Sequence, residues 1–584
     1  VSQGRRRPLA VVSLLLTTVS VVAACTNAPP PPLVPPPQTP TTSAPTTSAP
    51  PAQPMPVEVV VGVDELEGGF NPHTLADLSP TSSALASLML PSVFRPGADG
   101  NLQLDGTLME SAELVPDAEK FTVRYRIRRE ANWSDGAPIA AEDFVYLWEQ
   151  LRSQPGVSDP AGYQLIDDVA SRQGGKTVDV TFAKPFPGWQ TLFNNLLPAH
   201  LLRDAPRGWA TVLDDGYPAS GGPFAIRQID LDRGEIILER NDRYWGPPAQ
   251  SDRIVLRALD RARQVEALRS GDSHLAVFGA DRSTMQSLRD LGDAVQLITV
   301  PRPATMEVLL RHDSRELADV KVRRAVLAAL DRPALVEAGT GGGPADQLQA
   351  HAQVLAPSER GYTPTEQGLP NKPDPAQVER LLGEAGYHRS GGAWLRDGRP
   401  LNLVIAAPFE HESYIRIAEA VAQQLREQGI QATVVTPTGD QLFGEMLSAN
   451  PRSGESGGAG SVDMAIAPRP AGGDPAAMMA SSYGCPGVAA DSETPFPYND
   501  AGFCDELLQP TIDASLTGQV PFPEASAVVE PVLWRDAVAL PLYQQAQVMA
   551  LRREATGVEA GNGLAGPFST AAKWIGTPAD NDGY

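Results

Sequence analysis

From Phe121 to Arg128 the chain reads FTVRYRIR, so that Phe121, Val123, Tyr125 and Ile127 share one face and Thr122, Arg124, Arg126 and Arg128 the other. A period of two predicts a half-buried strand. TVDVTF at 177–182 predicts a second one. Between them WSDGAP is a turn with Asp135-Gly136 supplying the left-handed position, and AAEDFVYLWEQLRS sets Phe144, Trp148 and Leu151 at helical spacing. GGPFAIRQID and GEIILERNDRYWGPP predict two strands of a hairpin, and RQVEALRSGDSHLAVFG predicts a helix, a stop at Gly271 and a short strand.

The pattern becomes more regular further on. VKVRRAVLAALDRPALVEAG reads as one strong helical stretch, and DPAQVERLLGEAGY carries both helix signals, Asp374 as N-cap with Pro375 behind it and Gly386 as stop. Between 401 and 436 the order is strand LNLVIAAP, helix SYIRIAEAVAQQLREQG, strand IQATVV, a βαβ unit that requires parallel pairing and a right-handed crossover. After a glycine-rich loop at 452–460, VDMAIA predicts another strand of the same sheet.

The N-terminal region follows a different rule. Arg5, Arg6 and Arg7 precede an apolar run from Leu9 to Ala24 that is too short for a membrane span, which predicts a secretion signal over residues 1–24. Ala23-Ala24-Cys25 resembles a bacterial lipobox, implying a lipid on Cys25 as the anchor to the outer face of the plasma membrane. Residues 25–56 are mostly Pro, Thr, Ser and Ala, with TTSAP repeated at 41–45 and 46–50. Such a segment forms no core and acts as a semi-stiff spacer, reaching on the order of 90 Å at about 3.1 Å per residue.

Residues 57–584 are enough for two to four structural units. The net charge is −23, so no basic field is present to attract a phosphate backbone, and nucleic-acid binding is excluded as a main role. Of three cysteines, Cys485 and Cys504 remain once Cys25 is assigned to lipid; an exported compartment predicts a disulfide between them, two free buried thiols being the alternative.

Catalytic signatures are missing or misplaced. GESGG at 454–458 has the spacing of a nucleophile elbow around Ser456, yet no apolar strand leads into it. HES at 411–413 lacks the second histidine four residues on that a zinc-protease helix needs, Ile415 standing there. GTGGGP at 339–344 ends in proline where a dinucleotide fingerprint needs its third glycine, and the carboxylate pair Glu142-Asp143 suits the first turn of a helix. No metal or cofactor site is expected. An exported, tethered chain of this kind reads as a binder rather than an enzyme.

FTVRYRIRREANWSDGAPIAAEDFVYLWEQ at 121–150 resembles the signature of the extracellular solute-binding proteins of peptide and nickel importers, family 5. GGPFAIRQIDLDRGEIILERNDRYWG, VEALRSGDSHLAV, VKVRRAVLAALDRPALVEAGTGGG and PVLWRDAVALPLY follow in the family's order. The resemblance implies an α/β, two-lobed periplasmic-binding-protein-like fold with an extra inserted domain, mixed sheets with flanking helices, and a ligand enclosed between the lobes. It places a first lobe at 57–105, 219–300 and 546–584, an inserted domain at 106–218, and a second lobe at 301–545. GGFNPHTLADLSP, QPGVSDPAGYQLI, NDRYWGPP and SSYGCP are similar to a branch of mycobacterial envelope lipoproteins that keeps this fold and is associated with control of phosphatidylinositol mannoside and lipoarabinomannan synthesis.

One departure concerns the ligand. The dipeptide-binding branch carries a tryptophan and an ammonium-pairing aspartate before a GDP turn; here the stretch is APRPAGGDP, with Pro468 and Ala471 near those positions. A buried ammonium without a carboxylate is costly, which argues against dipeptide capture. A smaller departure, Ala140 in place of a threonine cap, removes about 1 kcal/mol of capping. The cleft candidates are Phe70, Asn71 and His73 from the first lobe and Arg469, Asp474 and Tyr483 from the second, while Trp133 and Trp148 read as packing residues. Three readings follow: a monomeric regulatory lipoprotein acting through a small ligand or a membrane mannosyltransferase; an importer component delivering a peptide or other solute to a permease; and, remotely, an envelope hydrolase.

Overall fold

The computed structural model describes residues 56–578 except 65, 67–68, 98–99, 367–370, 449–461, 488–496, 498 and 562–564. The secretion signal, Cys25, the proline-rich spacer and Ser456 lie outside the described residues.

A mixed eleven-stranded sheet organises the chain. Its order is Gln431–Val435, Asn402–Ala406, Met464–Pro470, Val295–Leu310, Ala539–Arg552, Leu275–Phe278, Val57–Val63, Arg253–Ala258, Glu235–Arg240, Phe224–Asp230, with Thr577–Pro578 paired to Val57–Val63. The βαβ unit is present: Asn402–Ala406 and Gln431–Val435 pair in parallel around the helix Glu412–Glu427. Met464–Pro470 is the further strand expected beside it.

Two strands are much longer than the rest. Val295–Leu310 and Ala539–Arg552 pair antiparallel over most of their lengths, running through the expected boundaries at 300 and 545. Their register shifts between Pro301 and Thr305 and again between Met306 and Glu307. Pro301 and Pro303 bring no N–H to the ladder, so the break falls where the backbone cannot donate.

A separate antiparallel sheet orders Met109–Leu114, Thr122–Ile127, Thr177–Phe182 and Ile166–Arg172. Val123, Tyr125 and Ile127 are buried, as the alternation requires. The helix Ala141–Ser153 buries Phe144, Leu147 and Leu151, while Trp148 is half-buried with the Arg152 guanidinium 4.6 Å from its ring. The carboxylate pair at its start is less bland than the sequence implied. Asp143 is buried and accepts from the backbone N–H groups of Ala140 and Ala199, both at 2.9 Å, and burial pushes its pKa up to about 6. Its bond to Ala140 keeps half of a capping box, offsetting part of the cost of an alanine cap.

The single helical stretch expected from Val320 is two helices, Val320–Ala328 and Arg332–Thr340. Pro333 cannot donate to a carbonyl four residues back, and Asp331 instead starts a new helix by accepting from the Ala334 N–H. Helix Pro375–Glu384 begins at its Asp374 cap, with Gly386 at φ 85° beyond its end.

Candidate functional site

Three expected cleft residues follow the strand Val57–Val63, and the structure turns all of them inward. Phe70 lies in the main core, and its carbonyl accepts from the Tyr217 hydroxyl at 2.7 Å. Asn71 is fully buried, donating to the Trp209 carbonyl at 3.2 Å and accepting from the His73 N–H at 3.2 Å. His73 donates through Nε2 to the Asn195 carbonyl at 3.0 Å, and burial lowers its pKa to about 4, so it is neutral at pH 7. These residues brace a loop.

The loop projects Leu75 into a hydrophobic cluster of the opposite half, among Leu309, Phe443, Ala467, Met479 and Tyr483. The Leu75 N–H donates to the Gly156 carbonyl and the Ser158 N–H to the His73 carbonyl, at 2.9 and 3.0 Å. Gly439 approaches so closely that a Cβ there would lie 3.2 Å from Ala76. Asp77 accepts from the N–H groups of Gly69 and Asn71, at 3.1 and 2.9 Å, yet its pKa is raised to about 7, burial being the main cause and Asp440 and Asp214 adding like charge. Asp440 is itself pushed up to about 6, by burial first and then by Asp214, Glu410 and Glu445.

Of the second-half candidates, Arg469 and Tyr483 meet at a small pocket that Leu75 and Gly156 also border. Tyr483 donates to the Gln353 carbonyl at 2.6 Å, and Arg469 Nη1 to the Val354 carbonyl at 2.6 Å. Arg469 Nε stands 3.3 Å from Glu307 Oε2, an ion pair between side chains only 4% and 5% exposed. Burial pushes Glu307 up to about 7 against the pull of Arg469. Asp474 is apart from both, capping the helix Pro475–Tyr483 by accepting from the Ala477 N–H at 2.9 Å. The six candidates therefore do not converge on one ligand position. Cys485 and Cys504 are joined in a disulfide, their Cα atoms 4.6 Å apart.

Two larger spaces flank the crossing strands. A chamber of about 600 Å³ reaches from Pro303 and Gly473 to the segments around 83–97, 191–195 and 559–573. Its polar lining is mainly hydroxyl and amide, including Ser83, Ser87, Thr191, Asn194, Ser569 and Thr570, with Lys573 and Arg95 as cations and Glu559 as an acid. Asn194 donates to the Thr191 carbonyl at 2.8 Å, while its buried Oδ1 has no partner among the described residues. Sequence reasoning missed these groups. A usable signal was FNN at 193–195, since Phe193 and Asn195 hold φ of 57° and 50°, a region asparagine enters more readily than most residues. Ala471, near the position of the ammonium-binding aspartate, donates its N–H to the Pro303 carbonyl at 2.9 Å and brings no charge to the chamber.

The second space, about 230 Å³, is bordered by Asp64, Arg302, His411, Tyr414, Gln545 and Gln547. Asp64 accepts from the Gly279 N–H and from Gln547 Nε2, both at 2.9 Å, and burial raises its pKa. Among the described residues no group of three or more His, Cys, Asp and Glu side chains could hold a metal ion, and no helix is long and apolar enough to cross a membrane.

Comparison with known proteins gives a consistent picture. Residues 104–489 match the model for bacterial extracellular solute-binding proteins, family 5. The chain is 34% identical over 651 aligned positions, covering 99% of both chains, to the probable monoacyl phosphatidylinositol tetramannoside-binding protein LpqW of Mycobacterium tuberculosis H37Rv. It is 25% identical to the oligopeptide-binding protein OppA of the same organism, over 80% of this chain and 77% of that one. The Bacillus subtilis oligopeptide-binding protein AppA, solved with a nonapeptide, superposes with a TM-score of 0.69 over 90% of this chain and 100% of that one, at 17% identity.

Proposed function

Because the chain belongs to the bacterial extracellular solute-binding proteins of family 5, whose members are binding proteins rather than enzymes, we propose that it captures the head group of a mannosylated phosphatidylinositol. In this reading it is an exported lipoprotein, held to the membrane through Cys25, that regulates phosphatidylinositol mannoside and lipoarabinomannan synthesis by presenting or withholding that ligand from a membrane mannosyltransferase. The segments expected as lobes close on the ligand about the two crossing strands.

One observation carries the proposal: the large chamber offers mainly neutral hydroxyl and amide groups with Lys573 as a cation, Arg95 being paired with Asp105 at 2.7 Å and Glu559 standing as the one acid among the described lining residues, and Ala471 supplies no carboxylate for a peptide ammonium. Sugars are recognised by such hydroxyl and amide groups, and a phosphodiester by a cation. The printed name of the LpqW relative supports the same ligand class. Delivery of a peptide to a permease is the second reading, favoured by the similarity to OppA.

The test is native mass spectrometry of the full chain in detergent, offered purified phosphatidylinositol mannosides and, separately, a mixture of short peptides. Retention of the mannosides and not of peptides is expected. Selective peptide retention would put the importer reading in its place, and Ala471→Asp is expected to raise affinity for peptides with free amino groups while weakening mannoside binding.

A further inference from the structure

The pocket beside the crossing strands contains polar groups that the protein leaves unsatisfied. Arg302 is 9% exposed and lies between Pro301 and Pro303, where the ladder to Ala539–Arg552 is interrupted. Its Nη2 has no hydrogen-bond partner among the described residues. Burial lowers its pKa, with the charge of Asp64 opposing the shift. Asp64 accepts from Gly279 and Gln547, and its own burial favours the neutral form.

The opposite wall comes from the helix Glu412–Glu427, sixteen residues long, whose N-cap His411 makes no side-chain capping bond. No acceptor for the Glu412 and Ser413 N–H groups is found among the described residues. A helix start of this length with free N–H groups favours an anion. Tyr414 accepts from Gln545 Nε2 at 2.7 Å, which leaves its own hydroxyl hydrogen to donate. Gln545 Oε1 and Glu410 Oε2, both buried, are acceptors without a donor. The other charges at the rim are engaged: Glu412 with Arg416 at 2.8 Å, Arg261 with Asp281 at 3.0 Å, and Glu410 Oε1 with the Gly439 N–H at 3.1 Å.

We propose that this pocket is an oxyanion site, in which a phosphate group is held by Arg302 Nη2, the Tyr414 hydroxyl and the start of the helix Glu412–Glu427. Hydroxyls carried beside the phosphate donate to Gln545 and Glu410. Because Arg302 lies on a crossing strand and His411–Tyr414 start the helix between the parallel strands Asn402–Ala406 and Gln431–Val435, the bound group ties the two together. The site stands on its own residues and does not depend on what occupies the larger chamber.

The test is isothermal titration of the full chain in detergent with inorganic phosphate and with myo-inositol 1-phosphate. Saturable binding of at least one probe is expected, weakened about tenfold or more by Arg302→Gln, as befits loss of a charge-assisted hydrogen bond. Tyr414→Phe keeps the ring that packs 4.6 Å from His411 and is expected to weaken binding several-fold. Tighter binding of the inositol phosphate assigns the site to an esterified head group, and equal or tighter binding of phosphate assigns it to the free anion. Absence of saturable binding of either probe at millimolar concentration overturns the proposal. So does unchanged affinity in Tyr414→Phe, which decides the matter if Arg302→Gln does not fold.

Discussion

Arg469 shows how burial changes the meaning of a charged residue. The sequence offers it as a ligand contact; in the fold its Nη1 donates to the Val354 carbonyl and its Nε faces Glu307, while its buried Nη2 has no hydrogen-bond partner among the described residues. Arg469→Met leaves Glu307 buried and unpaired, and is expected to lower the unfolding free energy by about 3–5 kcal/mol in urea titrations of the ligand-free protein. A residue kept only for ligand would leave that stability unchanged. Glu530 has a similar structural role, accepting from the Gln353 and Val354 N–H groups and the Thr365 hydroxyl at 2.9, 2.8 and 2.7 Å. Neither role was legible in the sequence, because the partners lie far along the chain and a charged residue does not announce whether it is solvated.

At the scale of elements, the loop that carries Leu75 joins the halves in addition to the two crossing strands. Leu75→Ala removes a side chain 6% exposed and is expected to cost about 2–3 kcal/mol, read as faster amide exchange in residues 439–447. The disulfide closes a segment of separation 19, so reduction is expected to lower the unfolding free energy by about 3 kcal/mol in the same titrations. Regular elements were the most legible part of the chain: the alternation at 121–128 and the βαβ unit at 401–436 carry their periods openly. The division of the helix at Asp331 was signalled by the adjacent DRP string, but the apolar spacing continues across it and hides the break.

For the whole molecule, the carboxylates between the halves give contact a pH dependence. Asp77 and Asp440 have folded-state pKa values raised to about 7 and about 6 from 3.8, burial being the first cause for both. A carboxyl with a raised folded-state pKa contributes stability that is full below its unfolded value and is lost as pH rises through the folded one. Contact between the loop at 69–79 and the segment around 440 is therefore expected to weaken from about pH 4 to about pH 7. Asp440→Asn should flatten that dependence, monitored by amide exchange at matched intrinsic rates. An unchanged slope would assign the pH response to other groups.

The sequence by itself determined the fold class, the periodic elements and the family, because hydrophobic period and collinear motifs are properties of neighbouring residues. Only the tertiary structure decided which polar groups are free to meet a ligand. Phe70, Asn71 and His73 are consumed in bracing a loop, whereas Asn194 and Arg302, absent from every motif, keep buried polar atoms unpaired. The reason is that hydrogen-bond satisfaction is settled by partners brought together from distant parts of the chain, and no local pattern records who those partners are.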